Sequence, residues 1–293
     1  MPKRKIKKIN NFFSYRNNFL YVEDVSIADI TKAIKTPFYI YSVGFLKKKY
    51  TELVKSLSNL NCSIFFSVKS NSNIAVLRVL ALLGSGMDVV SGGEYLRAKK
   101  AGVSGDKIVF SGVGKTHDEI KLALDHGIRQ FNVESVPEII MIDKIASSLG
   151  KKAPISIRVN PDVDAKTHQK IMTGKLENKF GVPINSAFEV YKEACKLSSI
   201  EIVGVDVHIG SQITDLLPFE NAFKKIANFI SLIRQDGHSI QRVDIGGGLG
   251  ISYSSSKSDP ISAEKFASVL LNIFKDMNIE IQLEPGRFIS GNA

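Results

Sequence analysis

Eight short apolar runs, each followed by an amphipathic stretch, constrain this chain more than any other feature of its sequence. The runs fall at Ile64–Val68, Met87–Val90, Lys107–Phe110, Gln130–Val133, Ile155–Val159, Ile202–His208, Val243–Ile245 and Glu280–Leu283. Apolar residues at helical spacing mark Asn73–Leu83, Gly93–Ala101, Asp118–His126, Pro137–Leu149, Ser186–Leu197, Phe219–Arg234 and Ala263–Met277. Strands that alternate with helices pair in parallel through right-handed crossovers. Eight such units in about 250 residues predict a (β/α)8 TIM-type barrel. An open doubly wound sheet is the alternative, but it usually has fewer strands and a clear fingerprint in its first turn.

The residues before position 43 stand outside this rhythm. Thr36–Tyr41 reads as a strand opened by Pro37, and Phe45–Leu60 as the helix that precedes the first barrel strand. The domain reading is therefore an N-terminal extension over 1–42, a barrel over 43–290, and the start of a further domain at 291–293. A hydrophobic fraction of 44% and a charged fraction of 23% suit a globular chain with a sizeable core.

The formal charge of +10 is a weak pointer to nucleic acid, because five basic residues crowd into Met1–Lys8 and the rest scatter along helices. A solvated basic surface that attracts anionic ligands is the better reading. No apolar run is long enough to span a bilayer, and the basic N-terminus lacks the continuous apolar segment of a secretory signal. Cys62 and Cys195 form no C-x-x-C pattern, which argues against a disulfide scaffold or zinc site and fits a reducing, cytoplasmic setting. His117, His126, His168, His208 and His238 have no metal-ligand spacing.

In a barrel, chemistry gathers at the carboxyl ends of the strands. Those ends present Lys69, then Asp88 to Glu94, then Arg158-Val159-Asn160-Pro161, His208-Ile209-Gly210-Ser211-Gln212, Gly246-Gly247-Gly248-Leu249-Gly250, and Glu284-Pro285-Gly286-Arg287. A lysine there can neutralise a phosphate, pair with a carboxylate or attack a carbonyl. Four glycines in five residues favour close approach of a ligand, and a phosphate held by backbone N–H groups fits the barrel position after strands seven and eight. Ser111-Gly112-Val113-Gly114-Lys115-Thr116 lacks the first P-loop glycine, since Val109 stands there, and is rejected as a nucleotide site. Ser91-Gly92-Gly93-Glu94 has the form of a capping box. His208 could be a satisfied core histidine, but its neighbours Gly210 and Ser211 favour a functional role. Glu284 could hold the proton of a cationic ring nitrogen, and Arg287 offers a planar fork for a carboxylate. Together these parts suit pyridoxal 5′-phosphate, which needs a Schiff-base lysine, phosphate donors and an acidic partner for its ring nitrogen.

Phe66-Ser67-Val68-Lys69-Ser70-Asn71, Asp88-Val89-Val90-Ser91-Gly92-Gly93-Glu94, His208 to Gln212, Gly246 to Gly250 and Glu284 to Arg287 resemble, in order, the motifs of fold-type III, alanine-racemase-like pyridoxal-phosphate enzymes. Thr173-Gly174 with Asn178-Lys179-Phe180-Gly181 is similar to the diaminopimelate decarboxylase family within them. The resemblance implies that Lys69 forms the Schiff base and that His208 stacks on the cofactor ring. It implies that Ser211, Gly246, Gly247 and Gly248 serve the phosphate, and that Glu284 pairs with the ring nitrogen. Gly286 and Arg287 would sit beside the phosphate, with Arg287 also reaching substrate, while Asp88 and Glu94 support Lys69 and His208. The implied reaction is loss of carbon dioxide from meso-2,6-diaminopimelate to give L-lysine; an ornithine- or arginine-type decarboxylase and a catalytically silent cofactor binder are the alternatives.

The family continues past the Glu284–Arg287 region into a β-domain that carries a proton-donating cysteine, contributed by the partner of a homodimer, and a tyrosine. This sequence stops six residues after Arg287, and neither Cys62 nor Cys195 matches that cysteine. The expectations are a Thr36–Tyr41 strand without its partners and weak turnover by the chain as it stands.

Overall fold

A computed structural model describes residues 12–164, 180–253 and 260–293. The basic run at Met1–Lys8, His168, Thr173-Gly174, Asn178-Lys179 and Ser254–Ser258 lie outside the described residues.

The chain opens with an antiparallel meander, β1 (Phe13–Arg16), β2 (Phe19–Val22) and β3 (Val25–Ser26), followed by α1 (Ile27–Ala33). The β1–β2 turn is made by Asn17 and Asn18, both at positive φ (50° and 69°), which is the conformation a two-residue hairpin requires. Thr36–Tyr41 is a correction to the strand read from sequence: it bends at Thr36 and Pro37, has no regular structure after them and belongs to no sheet, and Tyr39 is 92% exposed. Aromatic and proline preferences describe a half-buried pleated surface, and here no neighbouring strand supplies one.

From α2 (Val43–Ser56) onward the expected alternation is present. The elements are β4 (Cys62–Ser67), α3 (Ile74–Leu82), β5 (Gly86–Val89), α4 (Gly92–Lys100), β6 (Ile108–Phe110), α5 (His117–Asp125), β7 (Gln130–Val133), α6 (Val136–Ser148) and β8 (Ala153–Asn160). They continue as β9 (Val182–Pro183), α7 (Ile184–Ala194), β10 (Ile200–Asp206), α8 (Leu216–Gln235), β11 (Arg242–Asp244), α9 (Ala263–Phe274), β12 (Glu280–Leu283) and α10 (Arg287–Ser290). Every strand from β4 to β8 pairs in parallel with the next, β8 pairs with β10, and β12 returns to β4, so eight parallel strands close a barrel. The two-residue β9 adds to the end of β8 through Val159 and Val182.

The strands alternate in character. Phe131, Val133, Ile155, Ile157, Val205, Ile281 and Leu283 belong to the continuous apolar core with helix residues such as Leu53, Leu77, Tyr95, Ile142 and Phe266. The intervening positions Gln130, Asn132, Ser156, Arg158, Asp206, Gln282 and Glu284 are equally buried but polar. With a period of two, one set faces the helices and the other fills the lumen. Buried polar groups are costly unless they bond one another; Gln130, Asn132, Ser111, Asp244 and Glu284 form such a hydrogen-bonded group, whereas Ser156 Oγ, Asp206 Oδ1 and both side-chain polar atoms of Gln282 find no partner among the described residues.

Candidate active site

The chain leaves β4 through a tight 3-10 turn, Val68–Ser70, in which Ser70 Oγ donates to the Ser67 carbonyl (2.7 Å). Val68 is fully buried and anchors the turn, so Lys69 is lifted into the barrel mouth with its side chain 48% exposed. Its Nζ lies 3.0 Å from Asp88 Oδ2, on the neighbouring β5, and Ser67 Oγ donates to the same oxygen. Burial alone would lower the lysine's pKa, but the carboxylates of Asp88 and Glu284 outweigh it and hold the amine charged. Burial opposes ionisation of Asp88 as well; Lys69 and the Ser67 hydroxyl reverse that and keep it a carboxylate.

Glu94 stands one step behind this pair. Ser91 caps α4 by accepting from Glu94 N–H (3.2 Å), but the Glu94 carboxylate takes the Val90 N–H (2.9 Å) rather than that of Ser91. The reciprocal half of the expected capping box is therefore displaced by one residue. The Gly92 N–H is taken instead by Glu119 (2.6 Å) from α5, which with Thr116 forms a full capping box of its own. Burial raises the Glu94 pKa, and its carboxylate does not line the cavity described below.

On the far side, His208 follows β10 by two residues and accepts from the Gly247 N–H at Nδ1 (3.4 Å). Burial, then the nearby charges of Arg158 and Lys69, push its pKa down to about 3, so the ring is neutral at ordinary pH. The loops after β10 and β11 are zipped together: Ile213 N–H donates to Gly248 O (2.9 Å), and Gly250 N–H to Ile213 O (2.9 Å). This packing explains the glycines. A Cβ on Gly247 would lie 2.3 Å from the Glu284 carbonyl oxygen, and one on Gly248 would lie 2.5 Å from that of Gly210 with φ at +96°. Gly246 backs directly onto His208, where a Cβ would meet Nδ1 at 2.6 Å.

β12 delivers Glu284, 6% exposed, whose Oε1 accepts from Ser111 Oγ (3.2 Å) and Asn132 Nδ2 (3.4 Å). Burial, then the acids Asp244 and Asp88, raise its pKa well above the usual carboxylate range, which favours the protonated acid. The following turn packs on the lysine turn, since a Cβ on Gly286 would meet Ser70 Cβ at 2.9 Å and Ser67 Cβ at 3.0 Å. Arg287, at the start of α10, reaches the Tyr253 hydroxyl through Nη1.

These ends enclose a cavity of about 230 Å³ lined by Ser67, Lys69, Ser70, His208, Ser211, Gln212, Gly247, Gly248, Leu249, Glu284, Gly286 and Arg287. It brings together most of the residues singled out from sequence; Asp88 and Gly246 lie immediately behind its wall. Ser67, Ser70 and Gln212 were not singled out, nor were Asn132, Asp244 and the Arg158–Glu134 ion pair (2.7 Å) beneath it. The available signal was the period-two placement of polar residues inside apolar strands. A charged amine, a neutral ring, a glycine cradle without room for side chains, and a buried carboxyl whose pKa is raised are a set that fits pyridoxal phosphate. Among the described residues no cluster of His, Cys, Asp or Glu could hold a metal ion, and no helix is long and apolar enough to cross a membrane.

Residues 43–291 match the family described as pyridoxal-dependent decarboxylase, pyridoxal binding domain. The chain is 47% identical to the diaminopimelate decarboxylase of Haemophilus influenzae over 284 residues, which cover 97% of this chain and 68% of that protein. A crystal structure of diaminopimelate decarboxylase from Helicobacter pylori complexed with L-lysine superposes with a TM-score of 0.86 at 42% identity, covering 89% of this chain and 66% of that one. The M. jannaschii diaminopimelate decarboxylase in complex with L-lysine gives 0.89 at 35% identity, covering 96% and 68%. The chain thus spans about two thirds of the length of these relatives.

Proposed function

Because the chain belongs to the pyridoxal-dependent decarboxylase family through its pyridoxal-binding barrel, we propose that it carries the cofactor-binding part of a diaminopimelate decarboxylase, which removes one carboxyl group of meso-2,6-diaminopimelate as carbon dioxide and yields L-lysine. The observation that carries this reading is the placement of Lys69, His208, Gly247, Gly248, Glu284 and Arg287 around one cavity, in a chain 47% identical to an enzyme of that name. When bound there, pyridoxal phosphate supplies the electron sink that makes loss of a carboxyl group from Cα feasible.

The protein's share is positioning and charge. Lys69 would hold the cofactor covalently through its amine, and Asp88, 3.0 Å away, orients that amine and compensates its charge. The Gly246–Gly248 loop, with Ser211 and Gly286, would take the phosphate; the absence of side chains lets the phosphate approach this close turn, in which Gly246 N–H is held by Asp244 and Gly247 N–H makes a long bond to His208. Neutral His208 presents a flat ring face without adding charge. Glu284 would share its proton with the ring nitrogen, a buried interaction that is strong because the lumen excludes water. Arg287 would recognise a carboxylate of the substrate, and Glu94 supports the Lys69–Asp88 pair electrostatically from behind. Further parts of the same reading are a barrel domain over 43–290, a cytoplasmic location consistent with the unpaired thiols of Cys62 and Cys195, assembly as a homodimer, and no nucleic-acid partner.

Mixing the purified protein with pyridoxal phosphate is expected to give visible absorbance that borohydride fixes on Lys69, read by peptide mass spectrometry. Carbon dioxide release from meso-2,6-diaminopimelate, but not from ornithine or arginine, is the second expected result. No label on Lys69 overturns the cofactor assignment; label with carbon dioxide release from ornithine or arginine in preference to meso-2,6-diaminopimelate overturns the substrate assignment alone.

A further inference from the structure

Beneath the cavity floor, a ring of hydrogen bonds connects the two ends of the site. Asp244, at the end of β11, accepts the Gly246 N–H at Oδ1 (3.0 Å) and an Asn132 N–H at Oδ2 (3.1 Å). Asn132, in the middle of β7, also reaches Glu284 Oε1 (3.4 Å) and Ser111 Oγ (3.1 Å). The ring closes through the backbone, where Glu284 N–H donates to Gly246 O (2.8 Å). Asn132 cannot turn over without loss, because Gln130 donates to its Oδ1 (2.9 Å) and so fixes the amino group toward the two acids. Asn132 is 1% exposed and Asp244 0%, so neither touches the cavity or solvent.

We infer that Asn132 and Asp244 are positioning residues that tie the glycine loop to the carboxyl of Glu284, so that the phosphate end and the ring-nitrogen end of the cofactor site are set together. This rests on the reading of Lys69 and Glu284 given above. An amide donor between two acids does what a third carboxylate or an apolar side chain cannot. It donates to both acids at once, at 3.1 Å to Asp244 and 3.4 Å to Glu284, and so fixes the distance and orientation between them while Asp244 Oδ1 accepts the Gly246 N–H. Burial and the neighbouring Asp88 raise the Asp244 pKa to about 6, whereas the Gly246 N–H, Asn132 and the Glu284 carboxyl work against that rise. The other charged groups facing the pair are Lys69 above it, Asp88 from β5, Arg158 from β8 and Asp206 from β10. All of these remain in place in variants at Asn132 or Asp244.

The test uses the cofactor itself as probe. Wild type, N132L, D244N and S111A are titrated with pyridoxal phosphate, and the pH midpoint of the visible absorbance is measured for each loaded protein. Expected are an affinity loss of about tenfold and a shifted midpoint in N132L, a shifted midpoint in D244N, which keeps the side chain's size, and a smaller effect in S111A, which removes a donor to Glu284 but leaves the ring closed. Borohydride is expected to label Lys69 in all four. Should N132L fail to fold, D244N decides the matter alone. Variants that lose thermal stability yet bind and titrate as wild type does show a purely structural network and overturn the inference. Failure of wild type itself to label Lys69 overturns the underlying reading instead.

Discussion

Lys115 offers the sharpest test of how the lumen is held together. Its Nζ donates to Glu138 Oε1 (2.6 Å), Gly112 O (2.7 Å) and Asn132 O (2.7 Å), and the two side chains are 1% and 9% exposed. K115M keeps the apolar stem but strands a buried carboxylate whose other oxygen holds only the Glu134 N–H (2.8 Å). Breaking such a pair from one side costs roughly 3–5 kcal/mol, a large share of a domain stability of about 5–15 kcal/mol. K115M/E138M removes the stranded charge, so its cost falls below the sum of the single changes by about 2 kcal/mol. The Gly112 and Asn132 carbonyls and the Glu134 N–H, which lose these partners, keep it short of wild type, at about 1 kcal/mol or more each. Urea unfolding followed by circular dichroism measures all four proteins. The pair ties the loop after β6 to the first turn of α6; single and double changes that simply add, or a K115M cost below about 1 kcal/mol, would refute that role.

The remaining predictions concern the site. G247A puts a methyl group 2.3 Å from the Glu284 carbonyl oxygen, so the loop must move; pyridoxal phosphate affinity is expected to fall at least tenfold while the far-ultraviolet dichroism is unchanged. E284Q keeps the size of the side chain but cannot share an acidic proton, so Lys69 is expected still to be labelled while carbon dioxide release drops by about 10²-fold or more. His208 has a folded pKa of about 3 against an unfolded value of about 6.5. Because the folded value is the lower, its stabilising effect is complete above the unfolded value and is lost as pH falls toward the folded one. At pH 4.5 that loss is at most about 2–3 kcal/mol, so H208Q is expected to flatten the acid limb of a plot of melting temperature against pH; parallel limbs for the two proteins would contradict it.

What the sequence disclosed and what it hid follow from the same geometry. Lys69, Ser211, Gly247 and Glu284 were legible because each sits at a strand's carboxyl end, where a run of apolar residues gives way to a residue with no structural reason to be there. Asn132 was hidden because it lies within its strand, and Asp244 because the sequence pattern places it inside the run Val243–Ile245, although it is the last residue of β11; in either place a polar residue looks like an interruption of a core run. Yet Gln130-Phe131-Asn132-Val133 and Ser156-Ile157-Arg158-Val159 place polar groups two apart, and all four polar residues prove to be buried. A strand whose alternate positions are polar and whose neighbours share that pattern must enclose its polar face in a lumen, since the apolar face is already spent on the helices. The same attention to local chemistry would have found the N-terminal hairpin, whose Asn17-Asn18 pair is a two-residue turn signal between Phe13–Arg16 and Phe19–Val22. Thr36–Tyr41 is the converse case: its residues favour a strand, but strand preference is a statement about neighbours, and none pairs with it among the described residues. The residues that could be read one by one are thus those that line the cavity, whereas those packed behind them become visible only when the period of several strands is read together.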